Sequence, residues 1–273
     1  MKSKKTFLLL LLVLPLSLYA SKVDTIMVKS PSMNKEVKVV VVSPDKSLGS
    51  YAVACPVVYL LHGYSGDAKS WINLKPELPQ IADEKGIIFV CPDGKNSWYW
   101  DSPTNPAYRY ETFVSAELVK FIDGNYCTVP DRKGRAITGL SMGGHGGMWL
   151  SIRHKDVFGA GGSMSGGLDI RPFPKNWEMS KQLGEYESNT ELWETHTAIN
   201  QIDRLANGDL AIIIDCGLND FFLKVNKEFH NCLVEKKIDH DFILRPGGHD
   251  SKYWNNAVDY QILFFSKFFF VDK

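Results

Sequence analysis

Six short runs of β-branched and other apolar residues, each closed by glycine or a polar turn, constrain this chain more than any other feature. They are Pro56–Leu61, Gly86–Val90, Ala136–Thr138, Phe158–Met164, Leu210–Ile214 and Asp241–Leu244. Continuous apolar runs of this length read as strands buried on both faces, and therefore as a parallel sheet covered by helices. Helix-like patterns lie between or after them at Glu111–Asp123, Met142–Arg153, Phe221–Glu235 and Tyr253–Phe269. Ahead of them, Val23–Lys29 and Glu36–Val42 read as two strands joined by a turn at Pro31 and Asn34, an antiparallel start to the same sheet. The alternation predicts an α/β fold of about eight mostly parallel strands sandwiched by helices. In such a sheet, active residues gather on loops at the carboxyl ends of the strands.

Composition narrows the function. With 44% hydrophobic residues the chain can bury a sizeable core, and no repeat or linker divides it, so residues 21–273 read as one domain. Lys+Arg and Asp+Glu balance at 31 each. Removing Lys2, Lys4 and Lys5 from the 31 leaves 28 basic residues against 31 acidic. Neither nucleic acid nor an anionic membrane surface is an expected partner. Function must come from a site.

Those three lysines precede the apolar run Phe7–Leu16 and a small-residue cleavage site at Ala20-Ser21, within Ser17-Leu18-Tyr19-Ala20-Ser21. This is the layout of a secretory signal peptide, residues 1–20, cleaved after Ala20. A membrane span needs about 18 or more apolar residues, and this run is shorter and broken by Pro15. The expectation is an exported, periplasmic or secreted protein with no stable membrane insertion. Five cysteines remain, an odd count that leaves at least one thiol free. No Cys/His spacing suggests a metal, and no cofactor is expected.

Gly139-Leu140-Ser141-Met142-Gly143 matches G-x-S-x-G in its required context, a strand before and a helix after. The turn is tight enough that side chains at either flanking glycine would collide, which predicts Ser141 as an exposed, strained nucleophile. His145 sits on the following helix, facing away from where a base must stand, and reads as packing. In this topology the acid and then the histidine follow the serine. His249 lies on the loop after the last strand and is the expected base. Asp215 and Asp220 compete as acid. Asp215 still belongs to the strand end, whereas Asp220 lies on the loop that can reach the imidazole and is preferred. A serine hydroxyl needs such a base to become nucleophilic, and the acid holds the imidazole in the required tautomer. The oxyanion needs backbone donors, predicted as the amides of Met142 and of Tyr64 on the loop after the first parallel strand. His62, on that loop, has no second ligand at useful spacing and reads as structural.

Together the segments His62–Gly66, Asn96–Ser102, Gly139–Gly144, Cys216–Asp220 and Gly247–Asp250 occur in an order that resembles the putative-esterase family of α/β-hydrolases. The family includes tributyrin, feruloyl, acetylxylan and enterochelin esterases, S-formylglutathione hydrolases and mycolyltransferases. The resemblance covers residues 30 to 270 and implies the α/β-hydrolase fold, with Ser141 nucleophile, Asp220 acid, His249 base and Tyr64 and Met142 amides as oxyanion hole. Cytosolic S-formylglutathione hydrolases lack an export signal, and mycolyltransferases usually carry Glu where Asp220 stands. The tributyrin, feruloyl and acetylxylan branch fits best.

The segment 169–207 is the least strand-like and holds Trp177, Met179, Tyr186 and Trp193, which read either as an aromatic lid over a cleft or as anchors of a short helical excursion from the domain. Trp98, Trp100 and Trp177 are its candidate substrate contacts. The expectation is an exported serine carboxylesterase acting on feruloyl, acetyl or short-chain acyl esters, small or polysaccharide-linked. An acyltransferase or siderophore esterase on the same machinery, or a non-catalytic binding module, are the alternatives.

Overall fold

The computed structural model describes residues 21–270; the leader read at 1–20 lies outside the described residues. Eight strands form one sheet: β1 (Lys22–Ser30), β2 (Lys35–Ser43), β3 (Val57–Leu61), β4 (Ile88–Pro92), β5 (Arg135–Gly139), β6 (Ala160–Met164), β7 (Ala211–Gly217) and β8 (Asp241–Arg245). Their order is β1-β2-β4-β3-β5-β6-β7-β8. Pairing is antiparallel at β1·β2 and β2·β4 and parallel from β4 to β8. This is the mostly parallel eight-strand α/β sheet the strand pattern predicted, in the α/β-hydrolase fold the resemblance implied.

Burial follows the sequence logic. Strands β3 to β6 are buried along their whole length, as their apolar runs require. One face packs the helical stretch 110–125 and the helix Met142–Arg153, around Trp149, Phe113 and Tyr99. The other packs the helices Ser70–Leu74, Leu78–Lys85 and Ser251–Phe270, around Trp71, Leu78 and Phe265. The helix Met142–Arg153 lies unusually near the sheet: a Cβ at Gly147 would stand 2.3 Å from the Gly162 carbonyl oxygen. Only glycine permits that approach. Among the described residues no helix is long and apolar enough to cross a membrane.

Several boundaries move. The stretch predicted as a regular helix at 111–123 carries a π-helical turn at Phe113–Leu118. The two helices between β3 and β4, Ser70–Leu74 and Leu78–Lys85, carry no long periodic pattern and were not expected. Strand β7 runs three residues past Ile214, so Asp215 lies wholly inside it.

The topology locates the crevice. From β3 the chain moves outward to β4, then returns across β3 to β5. At such a reversal, loops from adjacent parallel strands diverge and leave a groove at their carboxyl ends. Register puts Leu61 opposite Gly139, so the loops His62–Gly66 and Leu140–Met142 emerge side by side.

Candidate active site

The turn after β5 is strained. Ser141 has φ 55° and ψ −117°, a conformation that side chains avoid unless the surroundings enforce it. Its amide donates to the Met164 carbonyl at 2.9 Å, and Gly143 closes the turn on Leu140 at 2.7 Å. A Cβ on Gly143 would meet the Leu61 carbonyl oxygen at 2.3 Å, which explains the second glycine of the motif. The result is a serine side chain raised above the sheet edge.

Two loops bring its partners. After β8, the Gly247 carbonyl accepts from the Asn219 amide at 2.8 Å, tying the β8 loop to the β7 loop. Asp220 turns back on its own loop, its Oδ1 accepting from the Phe222 amide at 2.8 Å. The geometry then runs in a line. Ser141 Oγ lies 2.9 Å from His249 Nε2, and His249 Nδ1 lies 2.9 and 3.1 Å from the two Asp220 oxygens. The Asp220 side chain is fully buried while the His249 ring remains partly open. With Nδ1–H donating to the carboxylate, Nε2 is free to accept the serine proton. The arrangement can therefore generate an alkoxide-like nucleophile without a free charge in water.

Asp215 stands elsewhere. Its carboxylate accepts from Arg245 Nη2 at 2.5 Å and from the Tyr253 hydroxyl, inside the sheet edge. Burial pushes its carboxyl above the ordinary value, against the opposing pull of Tyr253 and Arg245. It braces the strand β8 and the C-terminal helix and does not touch His249.

The amides of Tyr64 and Met142 donate to no protein acceptor among the described residues. Met142 opens its helix, where first-turn N–H groups lack intrahelical partners. The neighbouring Ser65 amide is held by Asn96 Oδ1 at 2.9 Å, fixing the loop that carries Tyr64.

Above Ser141 opens a cavity of about 470 Å³, walled by Tyr64, Leu74, Leu140, Trp177, Phe221 and Trp254. The aromatic rings form a continuous wall. Trp177 stacks on Phe221 with centroids 5.7 Å apart, Phe221 lies 4.1 Å from His249, and Trp254 meets the same imidazole edge-on at 4.8 Å. A second cavity, of about 490 Å³, opens beside Asn207, Asp239 and His240 at the amino ends of β7 and β8, away from these groups.

Of the three tryptophans expected to contact substrate, only Trp177 reaches the cavity. Trp98 and Trp100 must be corrected: they are 1% and 0% exposed and stack on each other and against His145. Their loop folds inward because Trp98 and Tyr99 take left-handed backbone angles, φ 55° and 62°. Trp98 acts from beneath, its indole N–H donating to the Trp177 carbonyl at 3.4 Å. His145 is a packing group, with burial pushing its imidazole down to about 3 and leaving it neutral. His62 is likewise internal, its Nε2 accepting from the Gly94 amide at 2.8 Å.

Phe221 and Trp254 went unrecognised in the sequence. Each stands close along the chain to a predicted site residue, Asp220 or His249, and proximity to the site was the available signal.

Comparison with known proteins agrees with this architecture. The model of the family described as putative esterase matches residues 30–265. An acetyl esterase from Caldicellulosiruptor saccharolyticus is 25% identical over 213 residues, 74% of this chain and 79% of that protein. The diacylglycerol acyltransferase/mycolyltransferase Ag85B of Mycolicibacterium smegmatis is 30% identical over 218 residues, 71% of this chain and 64% of that protein. Among solved structures, a ferulic acid esterase superposes with a TM-score of 0.79 at 29% identity, covering 92% of this chain and 99% of its own. The chain belongs to the putative esterase family, the carboxylic ester hydrolases of the α/β-hydrolase fold.

Proposed function

We propose that this protein is an exported serine carboxylesterase whose preferred acyl group is aromatic. Ser141 Oγ attacks the ester carbonyl carbon while its proton passes to His249 Nε2. The carbonyl electron pair moves to oxygen, and the oxyanion is met by the amides of Tyr64 and Met142. Collapse expels the alcohol, which takes the proton from His249 and leaves an acyl ester on Ser141. Water then attacks that ester, giving up a proton to His249, and the carboxylic acid is released as the serine proton returns. Asp220 holds Nδ1–H throughout and stabilises the imidazolium.

The observation that carries the reading is the hydrogen-bonded line from Ser141 through His249 to Asp220 at the floor of an aromatic-walled cavity. Flat aromatic walls favour a planar acyl group, since ring–ring contacts add about 0.5–1.5 kcal/mol beyond burial alone. The names of two relatives, ferulic acid esterase and acetyl esterase, span both aromatic and small acyl groups; the walls favour the former.

The test is kcat/KM on a series of methyl esters with cinnamoyl, feruloyl, butyryl and acetyl groups, for wild type and Trp177→Ala. The cinnamoyl-to-acetyl ratio should fall by about tenfold in the variant. An unchanged ratio contradicts the aromatic preference, and no turnover of any ester contradicts the activity. Export is tested separately by the mature N-terminus of protein recovered from outside the cytoplasm, expected at Ser21; an intact Met1 contradicts it.

A further inference from the structure

The loop that carries Asp220 is held from two sides. Towards β8 the tie is backbone: the Asn219 amide donates to the Gly247 carbonyl at 2.8 Å, and a Cβ on Gly217 would meet that same oxygen at 2.5 Å. Towards β6 the tie is a side chain. Asn226 lies in the helix Leu223–Glu235, just beyond Asp220, and is 0% exposed. Its Nδ2 donates to the Gly166 carbonyl at 2.8 Å and to the Phe222 carbonyl at 2.9 Å. We infer that Asn226 is a positioning residue, which sets the Asp220 carboxylate against His249 by clamping the acid turn to the loop after β6. The inference rests on the esterase reading above.

Both ends of the clamp lead to reacting groups. At one end, Phe222 is held at both backbone atoms: its amide donates to Asp220 Oδ1 at 2.8 Å, and its carbonyl accepts from Asn226. Its buried ring stands edge-on to the His249 imidazole, with centroids 5.4 Å apart. A shift of this residue therefore moves the carboxylate and the ring beside His249 together. At the other end, Gly166 lies against the helix that opens at Met142. A Cβ on Gly144 would stand 2.8 Å from the Gly166 Cα, and a Cβ on Gly166 would stand 2.9 Å from the Gly144 carbonyl carbon. Two residues before Gly166, the Met164 carbonyl accepts from the Ser141 amide at 2.9 Å. Asn226 thus ties the acid to the backbone that fixes the nucleophile. A misplacement of about 1 Å can lower a rate by about 10²-fold, so a rigid link between these loops has a catalytic consequence.

Hydrogen-bond accounting separates this role from plain stability. The Phe222 carbonyl already accepts from the Asn226 backbone amide at 3.1 Å. The amide side chain supplies a donor to Gly166, but its own Oδ1 accepts no hydrogen bond among the described residues. A buried carbonyl oxygen without a donor is costly wherever it sits. Leucine here would free the Gly166 oxygen and remove Oδ1, leaving the number of unpaired oxygens the same. Stability alone gives little reason for an amide at this point. Holding two loops in register does, because one NH₂ group carries two donors on a short stem.

We would measure kcat and KM on p-nitrophenyl acetate for wild type, Asn226→Leu and Asn226→Ser, each also in the Asp220→Asn background, with a melting curve for every protein. Serine can donate back to the Phe222 carbonyl one turn earlier but is too short to reach Gly166. Both variants should therefore lose kcat by about 10- to 100-fold, with KM within about twofold. In the Asp220→Asn background the same substitutions should lower kcat by less than about twofold, because the group they position is already lost. Wild-type kcat in the folded variants overturns the inference. So does a loss confined to KM, or a loss of the same factor in both backgrounds, which would make the effect independent of Asp220. Should Asn226→Leu fail to fold, Asn226→Ser decides. If wild type turns over no ester, the esterase reading fails on its own. The positioning is then read from the downfield proton resonance of His249 Nδ1–H: broadening or an upfield shift in the folded variants supports it, and an unchanged resonance overturns it.

Discussion

Replacing Asp220 with Asn separates the orientation of His249 from everything else the loop does. The Asp220 side chain is fully buried, with Oδ1 accepting from the Phe222 amide at 2.8 Å and Oδ2 facing His249 Nδ1 at 2.9 Å. Asparagine can keep the first contact, so its carbonyl stays on Phe222 and its NH₂ replaces Oδ2. That NH₂ is a donor and requires Nδ1 to accept. The imidazole proton then moves to Nε2 and points at Ser141 Oγ, where an acceptor is needed. Loss of the correct tautomer in a triad of this kind lowers kcat by about 10⁴, or about 5.4 kcal/mol in the barrier. The assay is kcat on p-nitrophenyl acetate beside a melting curve. Asp215→Asn is the contrast. It weakens the buried contacts to Arg245 and Tyr253, so melting should fall by an amount corresponding to about 3–5 kcal/mol, with kcat little changed. A folded Asp220→Asn enzyme keeping more than about a tenth of wild-type kcat would refute the reasoning. A dead, well-folded Asp215→Asn beside an active Asp220→Asn would reverse the two roles.

Glu111 should confer acid sensitivity. It is buried and accepts from Trp149, Arg153 and His154 at 2.8 to 2.9 Å. Burial opposes its charge, yet His154 and Arg153 hold its carboxyl below the ordinary 4.5. The depressed value means that its contribution is present above 4.5 and is lost as pH falls through the folded-state value. Melting curves across about pH 3 to 7 should show a flatter acid limb for Glu111→Gln than for wild type, and identical limbs would contradict the assignment. Gly143→Ala should lose stability and activity together, because the added methyl meets the immobile Leu61 carbonyl at 2.3 Å. Wild-type melting and kcat in that variant would mean that the elbow is looser than described.

The parallel sheet and the three residues now aligned at its edge could be read from the sequence for the same reason. Strands buried on both faces leave unbroken apolar runs, and their ends point to the loops. Asp220 was preferred over Asp215 because a side chain inside a strand cannot turn towards the next loop, and Asp215 does lie inside β7. Trp98 and Trp100 misled because an aromatic cluster near a cleft carries no sign of which way it faces. Backbone angles at Trp98 and Tyr99, invisible in the sequence, send it inward. The short helices Ser70–Leu74 and Leu78–Lys85 are held by the burial of Trp71 and Leu78, not by a periodic pattern.

The most direct test of the account is the turnover of Ser141→Ala. The hydroxyl stands at a strained turn and contributes a single contact, to His249. The variant should therefore melt like wild type. Its activity on an aryl ester should fall to the residual level that binding and the oxyanion donors alone sustain, about 10³–10⁴-fold over the uncatalysed rate. A folded Ser141→Ala protein that keeps more than about a tenth of wild-type kcat would contradict the claim that Ser141 is the nucleophile.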